Sequence, residues 1–567
     1  MHSSLRFGSD SRVLFDLSRL KDFVGLVLIV EAFLLFIVCL ADRSYVNASV
    51  VTLGAAVASF LALHISEKRR IFFSFIFVGF MRDPLSPMRL GDKGRYTMLS
   101  SVLNPSCGPS IVYLYGPRHV GKTYALNSLI EENVKYFDAR SERVTVRDVM
   151  KALEEYDVVL LDEATYLELG SYRGLPGFLE GVHKKIRGTK KKLVFTTSYS
   201  AEHYEILDTL VRLYAKDLEP PRDKEGNVQP YRIHALPRTL LEASSYRTGE
   251  KYEDSPNILD AILPNDSRAS IPKGPREVLD AYLITGGYPT MISSLKPPIE
   301  YPSTLQEFLS IASELKGVEY IVQELTRVSG GKIERIKNAL LGLGDKIVKR
   351  SKERLEVFKT YVVFGVPVAN EFIRRNMSVE EFEYFKPKPL DPGSLTALIY
   401  YLAPEDVNIN QILGAALESF VLLHLLYIVS STPKTRSRKV PPIVSPKEGP
   451  DFIATLFLRY KPVPLIVEVK ARSLAETDLM EGSEFYKTLK SLALYGYRNS
   501  VYPILVARRK PASEIYVNIE ASEEDRKEHS RNRTRLFLGS SPYKDVGTRK
   551  VIIMEPQEFA RFSKIST

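Results

Sequence analysis

The chain has 567 residues, too many for one hydrophobic core, so roughly three or four folding units are expected. Its 44% hydrophobic and 26% charged residues exclude disorder over most of its length. An excess of 78 Lys+Arg over 68 Asp+Glu (net charge +10) favours a polyanionic partner or an anionic membrane surface, and the two cysteines, Cys39 and Cys107, exclude a disulfide framework and a zinc cluster.

Residues 1–21 form a polar tail, and residues 23–41 are an apolar run with a single charge, Glu31. A second apolar run covers residues 48–65. Each is long enough to cross a hydrocarbon core as a helix, and the short link between them forces an antiparallel hairpin, so two transmembrane helices are predicted within 22–66. Arg6, Arg12, Arg19 and Lys21 precede the hairpin and Lys68, Arg69 and Arg70 follow it, while Arg43 is the basic residue of the link. That asymmetry places the chain at the cell membrane with both termini and the catalytic domains in the cytoplasm. A signal peptide fits poorly, because a second span follows the first. Gly54 and Ala58, four apart, would let a helix pack closely on a neighbour, in a homo-oligomer for instance. Glu31 reads either as part of an ion path or as a group paired or protonated inside the hairpin. Residues 67–95 read as a linker, and their apolar stretch 71–81 is too short to span.

Residues 111–115 form a short apolar strand that runs into Gly116, Pro117, Arg118, His119, Val120, Gly121, Lys122 and Thr123, after which 124–130 reads as a helix. This is a phosphate-binding loop in its required context of strand, glycine-rich turn and helix. The glycines let backbone N–H groups face phosphates, Lys122 would reach the β- and γ-phosphates of ATP, and Thr123 would ligate Mg²⁺. Residues 156–161 form a buried-type strand ending in Asp162 and Glu163. In a Walker B arrangement Asp162 holds Mg²⁺ and Glu163 orients or deprotonates the attacking water. A third strand, 192–198, ends in hydroxyl residues, so Thr197 or Ser198 is a γ-phosphate sensor or simply a strand-end turn residue.

The run Gly116-Pro117-Arg118, then Val120-Gly121-Lys122-Thr123, then Leu160-Leu161-Asp162-Glu163 and Thr196-Thr197-Ser198 resembles the archaeal ATPase family, a branch of the AAA+/STAND-type P-loop NTPases. Later landmarks agree in order: residues 236–242, beginning Leu236-Pro237-Arg238, look like the segment that closes the family's ATPase core. Gly286-Gly287-Tyr288-Pro289 looks like its lid signature. The resemblance spans roughly 95–510 and implies an ATPase core over 96–243 with a helical lid over 244–400. Residues 223–226 and 244–256 read as polar loops. A winged helix over 332–364 is implied by the resemblance; a lid with a solvated basic face is the alternative. Where the family often carries an arginine, this chain has Lys216, which lacks the planar fork of a guanidinium and would slow hydrolysis.

The last unit, 405–567, carries a second constellation. Pro450 and Asp451 open a strand over 452–457, and 465–470 form a second strand bearing Glu468 and Lys470. Period-two alternation puts Glu468 and Lys470 on one face with Ile466, and Leu465, Val467 and Val469 on the other. Asp451 joins them if the two strands pair as a hairpin. Two carboxylates and a lysine at this spacing suit a Mg²⁺ site for phosphodiester hydrolysis. The arrangement resembles the PD-(D/E)XK nuclease fold, which the archaeal ATPase family often carries at its C-terminus. On that resemblance Glu418, on a helix over 414–421, is the extra metal-binding glutamate, and the helix 485–495 and strand 501–508 complete the core. Lys434, Arg436, Arg438, Lys439 and Lys447 before the site, and Arg508, Arg509 and Lys510 after it, would form a rim for a DNA backbone.

The fold class expected is therefore α/β: a P-loop NTPase parallel sheet with a helical lid, followed by a PD-(D/E)XK-like α/β domain, behind an N-terminal transmembrane helical hairpin. Two functions follow. One is a membrane-anchored ATPase controlling a metal-dependent DNA nuclease, with Asp451, Glu468, Lys470 and Glu163 as catalytic residues. The other is a nucleotide-driven switch or scaffold whose last domain binds nucleic acid or protein without cleaving it.

Overall fold

A computed structural model describes, short gaps aside, residues 108–197, 207–218, 232–248, 275–322, 391–431, 450–518 and 548–562. The hairpin at 22–66, the linker to 95 and the winged-helix candidate at 332–364 lie outside the described residues.

The first sheet contains β1 (Ser110–Tyr115), β2 (Val134–Asp138), β3 (Val158–Asp162), β4 (Lys192–Thr196) and β5 (Arg232–His234). Their order is β2-β3-β4-β1-β5, and every neighbouring pair is parallel. Parallel strands need covering on both faces, which is why β1, β3 and β4 are near-continuous apolar runs. Alternation divides those residues between two packed layers. Val112, Leu114, Leu160, Val194 and Ile233 face helix α1 (Lys122–Asn127) through Ala125 and Leu126. Ile111, Tyr113, Val159, Leu161, Leu193 and Phe195 face α2 (Val146–Glu155) and α3 (Gly174–Ile186). Helix α2 starts where it does because Thr145 and Asp148 cap each other's backbone N–H, and it buries Val146, Val149 and Leu153 on one face.

This order is that of a P-loop NTPase sheet, and it has a consequence for chemistry. Inserting β4 between β1 and β3 puts the end of β4 between the loop after β1 and the acid that ends β3. Ligands of open α/β sheets sit at the carboxyl ends of the strands, where these three ends meet.

A helical layer follows: α4 (Leu240–Thr248), α5 (Arg276–Thr285), α6 (Pro289–Ile292), α7 (Leu305–Glu314), α8 (Pro392–Leu402) and α9 (Ile409–Ser431). The second sheet, β6 (Phe452–Leu458), β7 (Lys461–Ser473), β8 (Tyr502–Arg509), β9 (Glu514–Asn518) and β10 (Thr548–Met554), has the order β6-β7-β8-β10-β9. Strands β6 and β7 form an antiparallel hairpin. Helix α10 (Glu484–Asn499) then carries the chain to β8, which runs parallel to β7. Helix α11 (Pro556–Arg561) follows β10.

Helix α9 lies against β6 and β7 on one side and against α5, α8 and α11 on another. Residues 409–428 are long and apolar enough to cross a membrane by length and composition, but 83% of that window is buried inside the protein. Among the described residues it is the one helix that passes this test, and its apolarity is explained by the layers around it. One apolar cluster runs from Phe195 through Tyr282 and Phe420 to Val467, Val506 and Phe559, so both sheets share a core through α5 and α9. Helix α4 crosses the boundary expected at 243/244 and packs on α5 and α11.

Candidate nucleotide site and carboxylate–lysine site

The loop after β1 is shaped by two glycines. A Cβ on Gly116 would lie 2.2 Å from the Ala235 carbonyl oxygen, so the loop approaches the chain after β5 too closely for any side chain. Gly121 takes a left-handed φ of 101° and turns the loop into α1. His119 also has a positive φ, 60°, and Val120 is buried beneath the loop. Pro117 and Arg118 lie outside the described residues. Lys122 is 6% exposed, and its ammonium donates to the Gly116 carbonyl oxygen at 3.0 Å. The cation is thus folded across its own loop, poised over the position where phosphate oxygens would compete for it.

Asp162 is the centre of the site and is 2% exposed. Its Oδ2 accepts from the Thr123 hydroxyl at 2.5 Å and from the Tyr136 phenol at 3.4 Å. Its Oδ1 accepts from the Thr196 hydroxyl and from the Glu163 N–H at 3.1 Å. The Glu163 N–H also reaches Thr196 Oγ1 at 2.9 Å, and Glu163 sits in the left-handed region at φ 52°. Non-glycine residues pay for that conformation, and they tend to do so at functional sites. Burial first, and then the Asp162 charge, hold the Tyr136 phenol well above its ordinary range, so it remains a hydrogen-bond donor. Thr123 and Asp162 are hard oxygen donors already in contact, the chemistry a Mg²⁺ ion selects.

Of the strand-end hydroxyls, Thr196 is the one that meets Asp162. Strand β4 ends at Thr196, two residues earlier than the sequence suggested. Alternation then sends Thr196 toward Asp162 and Thr197 the other way, where its hydroxyl meets the Tyr113 phenol at 2.7 Å beside the Tyr113–Phe195 stack. Ser198 and Lys216 lie outside the described residues.

In the second sheet the hairpin register pairs Phe452 with Val467, which sets Asp451 beside Glu468. The Val469 N–H donates to Asp451 Oδ2 at 2.9 Å, and the Asp451 N–H donates to Glu468 Oε2 at 3.3 Å. The Lys470 ammonium donates to Glu468 Oε1 at 2.7 Å. Burial, and then the Asp451 charge, raise the Glu468 carboxyl. For Lys470 burial works downward, but the Glu468 bond and the charges of Glu468, Asp451 and Glu418 outweigh it and hold the ammonium above its ordinary value. Lys470 is held as a cation against Glu468.

Glu418 on α9 reaches this site electrostatically through Lys470. Among the described residues no three His, Cys, Asp or Glu side chains come together to hold a metal ion, so Glu418, Asp451 and Glu468 do not form the three-carboxylate set expected. The basic rim also changes. Arg508 bonds Asp280 of α5 at 3.2 Å and lies 5.9 Å from the Tyr301 ring centroid. Lys510 pairs with Glu558 of α11 at 2.6 Å. Both are committed to joining layers of the protein. Arg509 is exposed, while Lys434, Arg436, Arg438, Lys439 and Lys447 lie outside the described residues.

Three polar contacts were not assigned from the sequence: those of Tyr136, Thr196 and Asp391. Tyr136 gave no signal, and Thr196 stood only as the first of three strand-end hydroxyls. Asp391 did give one: an Asp-Pro pair opening a helix is a helix-start signature. Its carboxylate is fully buried and accepts from the Gly287 and Gly393 N–H groups, each at 2.7 Å. Burial pushes this carboxyl up to about 7, against the pull of those backbone donors.

No protein-family model matches the chain, and no curated protein matches it. Among solved structures it is similar to the Walker-type ATPase paby2304 of Pyrococcus abyssi, at 14% identity and TM-score 0.29, over 53% of this chain and 93% of that one. It is also similar to AMPPCP-bound DnaA from Aquifex aeolicus, at 14% identity and TM-score 0.23, over 49% of this chain and 80% of that one. A replication initiator DnaA bound to AMPPCP and single-stranded DNA gives 11% identity and TM-score 0.22, over 50% and 81%. With identities and scores this low these are likenesses only; the P-loop assignment rests on the strand order and on the loop after β1.

Proposed function

We propose that the chain is a membrane-anchored P-loop ATPase that binds and hydrolyses ATP with Mg²⁺ and controls a metal-dependent DNA nuclease in its last domain. The observation that carries the ATPase reading is the Thr123–Asp162 contact at 2.5 Å, with Lys122 folded over the adjoining loop. Lys122 would exchange the Gly116 carbonyl for phosphate oxygens, and the loop's N–H groups would receive the rest of the triphosphate. Thr123 and Asp162 would hold Mg²⁺, which supplies charge neutralisation on the β- and γ-phosphates. Thr196 keeps the Asp162 carboxylate turned toward Thr123, and Glu163 stands next in line to orient the attacking water. Phosphate release from ATP by purified protein tests this, with Thr196→Val expected to slow turnover by about tenfold through a misplaced Asp162. Turnover unaffected by Thr196→Val and by Asp162→Asn would end the reading.

For the last domain, Asp451 and Glu468 supply two carboxylates, enough for a Mg²⁺ that keeps several waters. Lys470 would meet the phosphate of the cleaved bond as a cation. Plasmid cutting with Mg²⁺ or Mn²⁺ tests it, and cutting by Lys470→Ala at the wild-type rate would assign the activity elsewhere. Residues 22–66 would hold the protein in the membrane after an alkaline wash, and their deletion would release it.

A second reading has its own support. Lys470 is already paired with Glu468, and Arg508 and Lys510 are occupied within the fold. The commitment of Lys470 favours a nucleotide-driven switch whose last domain binds nucleic acid or protein without cutting. It predicts salt-sensitive DNA retention with no scission in either metal.

A further inference from the structure

Residues 235–240 touch the phosphate loop at one end and helix α9 at the other. At one end the loop glycine Gly116 leaves no room for a Cβ against the Ala235 carbonyl, at 2.2 Å. Gly116 is also the residue whose carbonyl the Lys122 ammonium holds at 3.0 Å. At the other end the Pro237 carbonyl accepts from the Tyr427 phenol at 3.0 Å, and the Leu240 N–H donates to His424 Nε2 at 3.0 Å. Tyr427 and His424 belong to α9, the helix that bears Glu418.

The segment is gripped from its flank as well. The Arg238 N–H donates to the Gly287 carbonyl at 2.9 Å, and a Cβ on Gly287 would lie 2.2 Å from the Arg238 carbonyl oxygen. Gly287 in turn is fixed by Asp391 at 2.7 Å. Two glycines therefore pinch one short stretch, one from the phosphate loop and one from the turn before α6. Ala235, Leu236 and Leu240 are buried, so the stretch moves as a packed body and not as a loose loop. His424 adds rigidity: with Nε2 accepting from Leu240, Nδ1 carries the proton and donates to the Phe420 carbonyl at 2.7 Å.

We propose that residues 235–240 are a strut that transmits nucleotide occupancy at Lys122 to α9, and through its packing on β6 and β7 to the Asp451–Glu468–Lys470 site. The proposal rests on the nucleotide reading above. Phosphate draws Lys122 away from the Gly116 carbonyl and frees the first residue of the loop, which abuts Ala235. Any shift of Ala235 is carried along the buried strut to Tyr427 and His424. Because α9 is a continuous helix packed against β6 and β7, displacement at Tyr427 is carried to the hairpin that bears Glu468 and Lys470 and begins at Asp451. A ligand moves such an equilibrium only through a difference in its contacts with the two arrangements, and the Lys122 exchange supplies that difference.

The test is amide hydrogen exchange on the full-length protein with and without AMPPCP and Mg²⁺, read at the Asp451 and Val469 amides. Wild type should show exchange there altered by at least about fivefold, the lower range of coupling between sites. Tyr427→Phe, which removes the bond to Pro237 with little change in shape, should bind AMPPCP as wild type does and lose most of that response. Binding of AMPPCP with no change at Asp451 and Val469 in wild type overturns the strut and leaves the nucleotide reading intact, whatever the variant does. A full response in Tyr427→Phe overturns it too. Failure of the wild type to bind AMPPCP at all removes both.

Discussion

The two sites are built on opposite plans. At the nucleotide site the reactive groups sit at the ends of β1, β3 and β4, joined by hydroxyl-to-carboxylate bonds around one acid, Asp162. At the second site they lie along the face of a single hairpin and are tied by an ion pair, Lys470 with Glu468. Strand ends leave a cavity for a ligand and let hydroxyls change partners at little cost. A strand face holds its groups in fixed register but commits each of them before any ligand arrives.

The sharpest way to break this contrast is Asp162→Asn. Hydrolysis should fall by about 10²- to 10³-fold, the usual loss when a charge-bearing group is taken from the reacting phosphates, while the melting temperature moves little. A protein that unfolds instead would show Asp162 to be structural. Next comes Asp391→Ala, which strands the Gly287 and Gly393 N–H groups in the core and should cost about 3 kcal/mol in denaturant unfolding. The same residue predicts a pH dependence. A carboxyl that keeps its proton more tightly folded than unfolded adds stability that is fully present below about pH 4 and is lost as pH rises through the folded value. With the Asp391 carboxyl pushed up to about 7, wild type should lose stability between about pH 4 and pH 7, and Asp391→Ala should flatten that slope. Smaller still is His424→Ala, which leaves the Leu240 N–H unpaired and should cost about 2 kcal/mol. The least effect is expected from Arg276→Ala. One of its terminal nitrogens donates to both Glu555 carboxylate oxygens, at 2.7 and 2.9 Å, and joins α5 to the residue that caps α11, yet the Arg276 side chain is 65% exposed. Solvent screening limits its loss to about 0.5–1 kcal/mol.

What the sequence revealed follows the same division. The phosphate loop was legible because a glycine-rich turn between an apolar strand and a helix has few other uses. Asp451, Glu468 and Lys470 were legible because period two fixes which side chains share a strand face. The Thr196–Asp162 contact was not legible because the end of β4 was set by composition, and a shift of two residues decides which of three neighbouring hydroxyls meets Asp162. The roles of Arg508 and Lys510 were hidden for another reason. Their partners, Asp280 and Glu558, are far away in the chain, and no local pattern shows that a basic residue is already spoken for. The layers between the sheets were equally opaque: the apolar length of α9 reads like a membrane span until the elements that cover it are known.

The most direct test of the central claim is equilibrium binding of a labelled ATP analogue to the full-length protein. Saturable, Mg²⁺-strengthened binding is expected, and Lys122→Ala should weaken it by at least about tenfold, through loss of the ammonium that faces the phosphates. Equal binding by wild type and Lys122→Ala, or none by either, would contradict the account.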